Sequence, residues 1–197
     1  MTQIIPSYLS QKLLCTDIDD TILQCADFLQ QFLEEEFGLF SEHRLKDHHN
    51  IPKLFNLSQE RTLEFVAAFH RSKIFGQLPP LPCAAVVLPE LHRAGYEFVA
   101  ITACLGEPET VQARLNNLHD AFGFEWRAVH CIGLKSTKAD VLNDYPASIW
   151  VDDLAHHAEA GIEAGHQSFL IDKPYNQMDI HPEVIRVTDW HELMKFL

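Results

Sequence analysis

Six short apolar runs, at 12–16, 96–102, 127–132, 148–151, 167–171 and 184–187, set the limits on what this 197-residue chain can fold into. Each has the length and unbroken apolarity of a strand buried on both faces. Segments with helical periodicity separate them. Residues 83–94 carry Val86, Val87, Leu88 and Leu91 ahead of a terminating Gly95. Pro108 opens a helix to about residue 119, with Val111, Leu115 and Leu118 on one face. Shorter helices are expected over 138–143 and 154–164, the second stopped by Gly165, and Asp189 caps a final helix through 197. Strand–helix alternation of this kind predicts an α/β fold, a Rossmann-like, doubly wound parallel sheet.

Residues 24–81 break the alternation. Two helices are expected there, 26–37 and 59–71, with Ser58 capping the second and a polar, His-rich connection over 41–50. Phe28, Phe32, Phe55, Phe65 and Phe69 are spaced as the core of these helices, although one could stack on a base. Pro79-Pro80-Leu81-Pro82 marks the return to the sheet. The expected organisation is a core of residues 1–23 and 82–197 with a small helical insertion, 24–81, after the first strand.

The first apolar run stops abruptly at Asp17-Ile18-Asp19-Asp20-Thr21. A strand followed by a tight acidic turn carries Asp17 and Asp19 to the carboxyl edge of the sheet, where open α/β sheets build their ligand sites. Two carboxylates there can hold a hard cation such as Mg²⁺ and divide the work, one attacking while the other manages protons. Three further signals sit at strand ends. Thr102 closes the run 96–102 and offers a hydroxyl to phosphate oxygens. Lys138 lies ahead of the run 148–151 and can neutralise both phosphate and attacking carboxylate, with Lys135 as the competing lysine. Asp152-Asp153 follows that run and suits an oxygen-rich metal site, unless one of the two orients Lys138 or bonds backbone instead.

In this order the motifs resemble those of the haloacid dehalogenase (HAD)-like hydrolase superfamily. Asp17-Ile18-Asp19-Asp20-Thr21 resembles its first motif, Val99-Ala100-Ile101-Thr102 its second, Lys138 its third and Trp150-Val151-Asp152-Asp153 its fourth. The resemblance implies that Asp17 is a nucleophile forming an aspartyl-phosphate and that Asp19 protonates the leaving group and then deprotonates water. It implies further that Thr102 and Lys138 hold the phosphoryl group. Mg²⁺ would sit between Asp17, the backbone carbonyl of Asp19, and Asp152 or Asp153. Family dehalogenases lack an acid two positions after the nucleophile, so Asp19 points to phosphate esters. An alkoxide leaves poorly unless protonated, and such help is worth ~10²–10⁴-fold. An insertion between the first and second motifs resembles the family's C1 type of cap, and capped members act on small molecules. Within the superfamily, Leu78-Pro79-Pro80-Leu81-Pro82, Val151-Asp152-Asp153 and Leu170-Ile171-Asp172-Lys173-Pro174-Tyr175-Asn176 resemble the 5′(3′)-deoxyribonucleotidase-like group, whose first motif often has Gly where this chain has Asp20. The implied function is a Mg²⁺-dependent phosphatase for a small phosphorylated metabolite, with a (deoxy)nucleoside monophosphate as the first substrate to test. The alternatives are a phosphatase or phosphotransferase for another metabolite, or an idle HAD-like binding module.

Composition narrows the partners. With 28 acidic and 15 basic residues the net charge is −13, which disfavours nucleic acid polymers and anionic membranes. No apolar run approaches the ~20 residues needed to span a bilayer. Five Cys without a CxxC pair, and a start lacking a basic flank before an apolar stretch, are the pattern expected of a cytoplasmic protein. Cys104, two residues past Thr102, has no legible partner base and reads as a passive loop thiol. His43, His48 and His49 read as solvent-exposed imidazoles and candidate substrate contacts rather than a metal cluster. His156-His157 read as residues at the mouth of the site.

Overall fold

The computed structural model describes residues 12–134 and 136–197. Residues 1–11, on which the reading of the chain's start rests, and Lys135, the alternative phosphate lysine, lie outside the described residues. Six parallel strands form one sheet: β1 (Leu13–Thr16), β2 (Glu97–Thr102), β3 (Ala128–Cys131), β4 (Ile149–Asp152), β5 (Gln167–Ile171) and β6 (Ile185–Val187). Their order, β3-β2-β1-β4-β5-β6, leaves β1 central. The chain winds outward through β2 and β3 and then returns to the other side of β1. The crevice between the carboxyl ends of β1 and β4 is therefore the topological switch point, where a doubly wound sheet places its ligand.

Successive side chains of each strand point to opposite faces, and the core divides accordingly. Leu14, Phe98, Ala100, Ile149 and Val151 pack into one apolar cluster, with Leu13, Cys15, Val99, Ile101 and Trp150 in another. The first cluster includes residues of α5 (Pro82–Arg93), α6 (Pro108–Phe122) and α9 (Trp190–Leu193). The second includes Leu142 of α7 (Lys138–Leu142). Helix α8 (Ala155–Glu163) approaches the sheet most closely at Gly161. A Cβ there would lie 2.2 Å from Ser168 Oγ and 2.3 Å from Trp150 Cδ1, so only glycine fits.

Helix α6 departs from its expected pattern in length and in facing. It runs on to Phe122 and ends at Gly123, whose φ of +70° is the left-handed conformation that glycine adopts without strain. Its buried face is Thr110, Arg114, Asn117, Leu118 and Phe122, whereas Leu115 is exposed. The polar members have work there: Asn117 Nδ2 donates to the Leu78 carbonyl at 2.9 Å and Arg114 bonds Asp19. An apolar-stripe reading misplaces such a face because it assigns Arg and Asn to solvent.

Between β1 and α5 lie α1 (Ala26–Phe37), α2 (Leu45–His48), α3 (Ile51–Phe55), α4 (Gln59–His70) and a 3₁₀ turn, Phe75–Gln77. Helix α1 ends at Gly38, and the Ser58 side chain caps α4 by accepting from the Arg61 amide. The expected connection over 41–50 contains α2 and leads directly into α3. With four and five residues, these helices are too short to show a period. The Asn50 side chain caps α3 by accepting from the Lys53 amide, and Pro52 sits in its first turn. Phe32 and Phe69 (5.5 Å between ring centroids) and Phe37 and Phe65 (4.5 Å) pack α1 against α4. Phe28 is partly buried against the same core.

Candidate active site

Strand register brings the first and fourth motifs together. Thr16 pairs with Val151 across β1 and β4, and the Asp17 amide continues the ladder by donating to the Val151 carbonyl at 2.8 Å. Asp17 thus leaves its strand beside Asp152. Carboxylate oxygens of Asp17, Asp152 and Asp153 all lie within 4.8 Å of one another, and all three residues are buried.

Lys138, the first residue of α7, is buried between two of these carboxylates. Its Nζ donates to Asp17 Oδ1 at 2.5 Å and to Asp152 Oδ2 at 2.7 Å. Burial alone would lower the affinity of this amine for its proton, but Asp152 and Asp17 more than compensate and raise it. The two acids of the fourth motif have different surroundings. Asp152 is fully committed: Oδ2 to Lys138, and Oδ1 to the Leu154 amide at 2.8 Å, at the start of α8. Asp153 accepts from two hydroxyls, Thr21 Oγ1 at 3.0 Å on Oδ1 and Tyr175 on Oδ2. Asn176 braces the same turn, its Nδ2 donating to the carbonyls of Asp153 and Ile171, each at 2.8 Å.

Asp19 lies on the other side of Asp17. Its Oδ2 accepts from Thr102 Oγ1 at 3.0 Å and its Oδ1 from Arg114 NH2 at 2.8 Å. In this arrangement the Thr102 hydroxyl serves Asp19. Asp20 adopts φ of +59°, the left-handed conformation that glycine takes without strain. Aspartate tolerates that conformation better than most residues, and here its carboxylate accepts from the Cys25 and Ala26 amides at the start of α1. Burial, with Asp153 nearby, pushes the Asp20 carboxyl up to about 7.

The first two acids are driven apart. Burial, joined by the charges of Asp152, Asp153 and Asp19, outweighs Lys138 and lifts Asp17 well above the ordinary carboxylate range. Burial also opposes ionisation of Asp19, but Arg114, His70 and the Thr102 hydroxyl overcome it and hold this carboxyl below its usual value. Asp153 is raised by burial and by Asp152. Three buried carboxylates against one ammonium leave an excess of negative charge on hard oxygen donors. That donor set fits a hard divalent cation such as Mg²⁺. Among the described residues no backbone amide donates to the Asp19 carbonyl, which leaves it available to the same ion.

A cavity of about 230 Å³ opens over these groups. Asp17, Asp19, Thr102, Lys138 and Asp153 line its floor, and Leu29, Ile51 and Val66 line the side formed by the inserted helices. His49, His70 and His157 also face it. Burial keeps two of these imidazoles neutral, lowering His70 to about 4 and His157 to about 3. His49 packs on Tyr175 with its ring tilted and centroids 4.9 Å apart, whereas His43 and His48 meet edge to face and are exposed. Cys104 is buried, and a hydrogen bond that its thiol donates to Cys131, together with burial, raises it, in keeping with a passive role. Among the described residues no helix is long and apolar enough to cross a membrane.

Sequence reasoning did not single out Thr21, His70, Arg114, Tyr175 or Asn176. Arg114 carried a usable signal: it lies three residues from Val111 and four from Leu118, on the apolar side of its helix, where an unpaired charge is costly. Tyr175 and Asn176 stood within the phrase carrying the nucleotidase resemblance, but nothing local connects them to Asp153.

A parallel sheet in this order, with a helical insertion after β1 and acids at the ends of β1 and β4, is the fold of the HAD-like hydrolases. No protein-family model matches the chain. Among individual proteins, it is 24% identical over 195 residues to one from Bacillus subtilis (strain 168) named "Putative nucleotidase YqfW", covering 92% of this chain and 91% of that one. Of solved structures, CbbY from Rhodobacter sphaeroides in complex with phosphate is similar with a TM-score of 0.63 at 15% identity, over 92% of this chain and 96% of that one. D,D-heptose 1,7-bisphosphate phosphatase from B. bronchiseptica, complexed with magnesium and phosphate, gives 0.58 at 14% identity, over 93% and 96%. The L-2-haloacid dehalogenase PA0810 gives 0.56 at 14% identity, over 93% and 98%. Phosphatases and a dehalogenase share this fold, so the chemistry must be argued from the site.

Proposed function

We propose that the protein is a Mg²⁺-dependent phosphomonoester hydrolase acting through an aspartyl-phosphate on Asp17, with residues 24–81 as a cap and a (deoxy)nucleoside monophosphate as its first candidate substrate. The observation that carries this reading is the buried Asp17–Lys138–Asp152 array with Asp19 beside it, at the switch point of the sheet. Asp17, Asp153, whose oxygens accept from neutral hydroxyls, and the Asp19 carbonyl would hold the cation, while Asp152, already bonded to an ammonium and a backbone amide, would orient Lys138. When bound, Mg²⁺ supplies charge neutralisation for the phosphate oxygens. Its charge also favours ionised Asp17, the form that attacks.

The residues divide the reaction as follows. Lys138 fixes the Asp17 carboxylate and draws the phosphoryl group towards it. Asp17 passes the proton that burial holds on it to Asp19 and, as the carboxylate, forms a bond to phosphorus, and the ester oxygen departs with the proton that Asp19 gives it. Asp19 then takes a proton from water as the water attacks phosphorus. The Asp17–phosphorus bond breaks, orthophosphate leaves, and both acids return to their starting forms.

The cap side of the cavity supports the substrate class. Among the described lining residues Lys138 is the one Lys or Arg, and His70 and His157 are held neutral. Such walls suit an uncharged, partly apolar leaving group better than a second phosphate. That agrees with the name of the Bacillus relative. The test is hydrolysis of a generic aryl phosphate with Mg²⁺ and with EDTA, followed by a panel of nucleoside monophosphates, sugar mono- and bisphosphates and phosphorylated cofactors. Mg²⁺-dependent turnover, best with nucleoside monophosphates, is expected. Absence of metal-dependent turnover on the whole panel overturns the phosphatase reading, and activity confined to sugar phosphates overturns the nucleotide assignment.

A further inference from the structure

Arg114 is completely buried, yet its guanidinium makes one ordinary hydrogen bond, NH2 to Asp19 Oδ1 at 2.8 Å. Its Nε and NH1 have no hydrogen-bond partner among the described residues. The guanidinium carbon lies 3.8 Å from the centroid of the Phe75 ring, a stacked contact that fixes its position. Phe75 is held in turn. It begins the 3₁₀ turn against α6, where a Cβ on Gly76 would come within 3.2 Å of Ala113 Cβ. A buried ion pair with donors left over adds little to stability, and an apolar residue of similar size would serve packing as well or better. The charge needs another account, and the group it touches supplies one.

Asp19 is held at both oxygens, but by different kinds of partner. Thr102 on Oδ2 is a hydroxyl that can rotate away. Arg114 on Oδ1 is a planar cation fixed by its own packing. We propose that Arg114 is a positioning residue for the proton-transferring acid: it anchors Oδ1 of Asp19 so that Oδ2, released by Thr102, meets the oxygen of the departing group. Arg114 does not itself line the cavity, and it acts through Asp19. The inference rests on the phosphatase reading above.

The test uses the dependence of rate on the leaving group. kcat/KM reports the steps up to departure of that group, so breakdown of the aspartyl-phosphate does not enter. A 4-nitrophenolate leaves without a proton, whereas an alkoxide needs one. Arg114→Gln is therefore expected to lower kcat/KM about 100-fold for an alkyl phosphate and less than about threefold for 4-nitrophenyl phosphate. Arg114→Lys, which keeps the charge and loses the planar fork, should show the same contrast on a smaller scale. In an Asp19→Asn background, Arg114→Gln should cost less than about twofold further, since the two residues act as a unit. An equal loss for both substrates, or losses that multiply in the double variant, overturns the proposal. If Arg114→Gln does not fold, the substrate contrast in Arg114→Lys decides in the same way. A wild-type protein inactive on every phosphate tested overturns the phosphatase reading, and this inference with it.

Discussion

The floor and the roof of the cavity are built on opposite principles. On the floor, at the ends of β1 and β4, charged side chains are buried and hydrogen-bonded to one another: Lys138 to Asp17 and Asp152, Arg114 to Asp19. On the roof, α1 and α4 are held together by ordinary aromatic packing around Phe32, Phe65 and Phe69, and the side chains they present are mainly apolar or neutral. A floor of interlocked charges tolerates little change, because removing one partner strands another. A roof of apolar contacts can change its lining at small cost. Under the proposed function, that difference would confine chemistry to the sheet and choice of substrate to the inserted helices.

The sharpest test of the floor is Asp17→Asn. It removes the proposed nucleophile while keeping its shape, and Mg²⁺-dependent turnover should fall at least ~10³-fold with the thermal midpoint little changed. Turnover retained in a clean preparation would break the assignment of chemistry to the floor. Lys138→Met tests the interlocking itself. It leaves Asp17 and Asp152 buried without their cation, so a stability loss of about 3–5 kcal/mol is expected in denaturant unfolding. A loss below about 1 kcal/mol would show that the two regions do not differ in this respect.

The floor was also the more legible half. Asp17, Asp152 and Asp153 each end an apolar run and Lys138 opens a helix, so residue type and strand position suffice to bring them together. Parallel pairing of β1 with β4 then does the rest. For the residues that brace the floor, the sequence showed at most a buried position, as at Arg114, and not the partner. Thr21 meets Asp153 across 132 positions and Arg114 meets Asp19 across 95, contacts that only the tertiary fold creates. The same contacts turned the face of α6 away from its apolar stripe. On the roof, α1 and α4 showed their period and caps, while α2 and α3 were too short to do so. Nothing local to residues 41–50 indicates that His49, at φ of +45°, turns back onto Tyr175.

Two smaller effects extend the comparison beyond the catalytic groups. Gly161→Ala sets a Cβ against Trp150, which is fully buried and cannot yield as Ser168 can, so a loss of about 2–3 kcal/mol in unfolding is expected. That would extend the intolerance of the floor to the helix beneath it. His70 marks the border of the two regions. Burial lowers its folded-state value to about 4, below the ordinary imidazole value of 6.5. Between those values the unfolded chain binds a proton that the folded chain refuses, so stability is fully present above pH 6.5 and is lost as pH falls towards 4. This residue should account for about 2 kcal/mol of the difference between pH 7 and pH 5. His70→Gln should flatten the unfolding profile by that amount, and an unchanged profile would return the imidazole to solvent.

The smallest effect bears most directly on the roof. Ile51 and Val66 are only half-buried, and both line the cavity away from the charged groups. Shortening either to Ala removes apolar wall without touching the floor. Burial of a few methyl and methylene groups against a substrate is worth about 1 kcal/mol, or roughly fivefold in kcat/KM. The loss should appear with nucleoside monophosphates and not with methyl phosphate, which is too small to reach the roof. Thermal midpoints should move by a degree or two, since neither side chain belongs to the fully buried core. A uniform loss across substrates would mean that the roof acts by closing over the floor rather than by selecting what lies above it. The separation of chemistry from choice would then fail at the two residues best placed to show it.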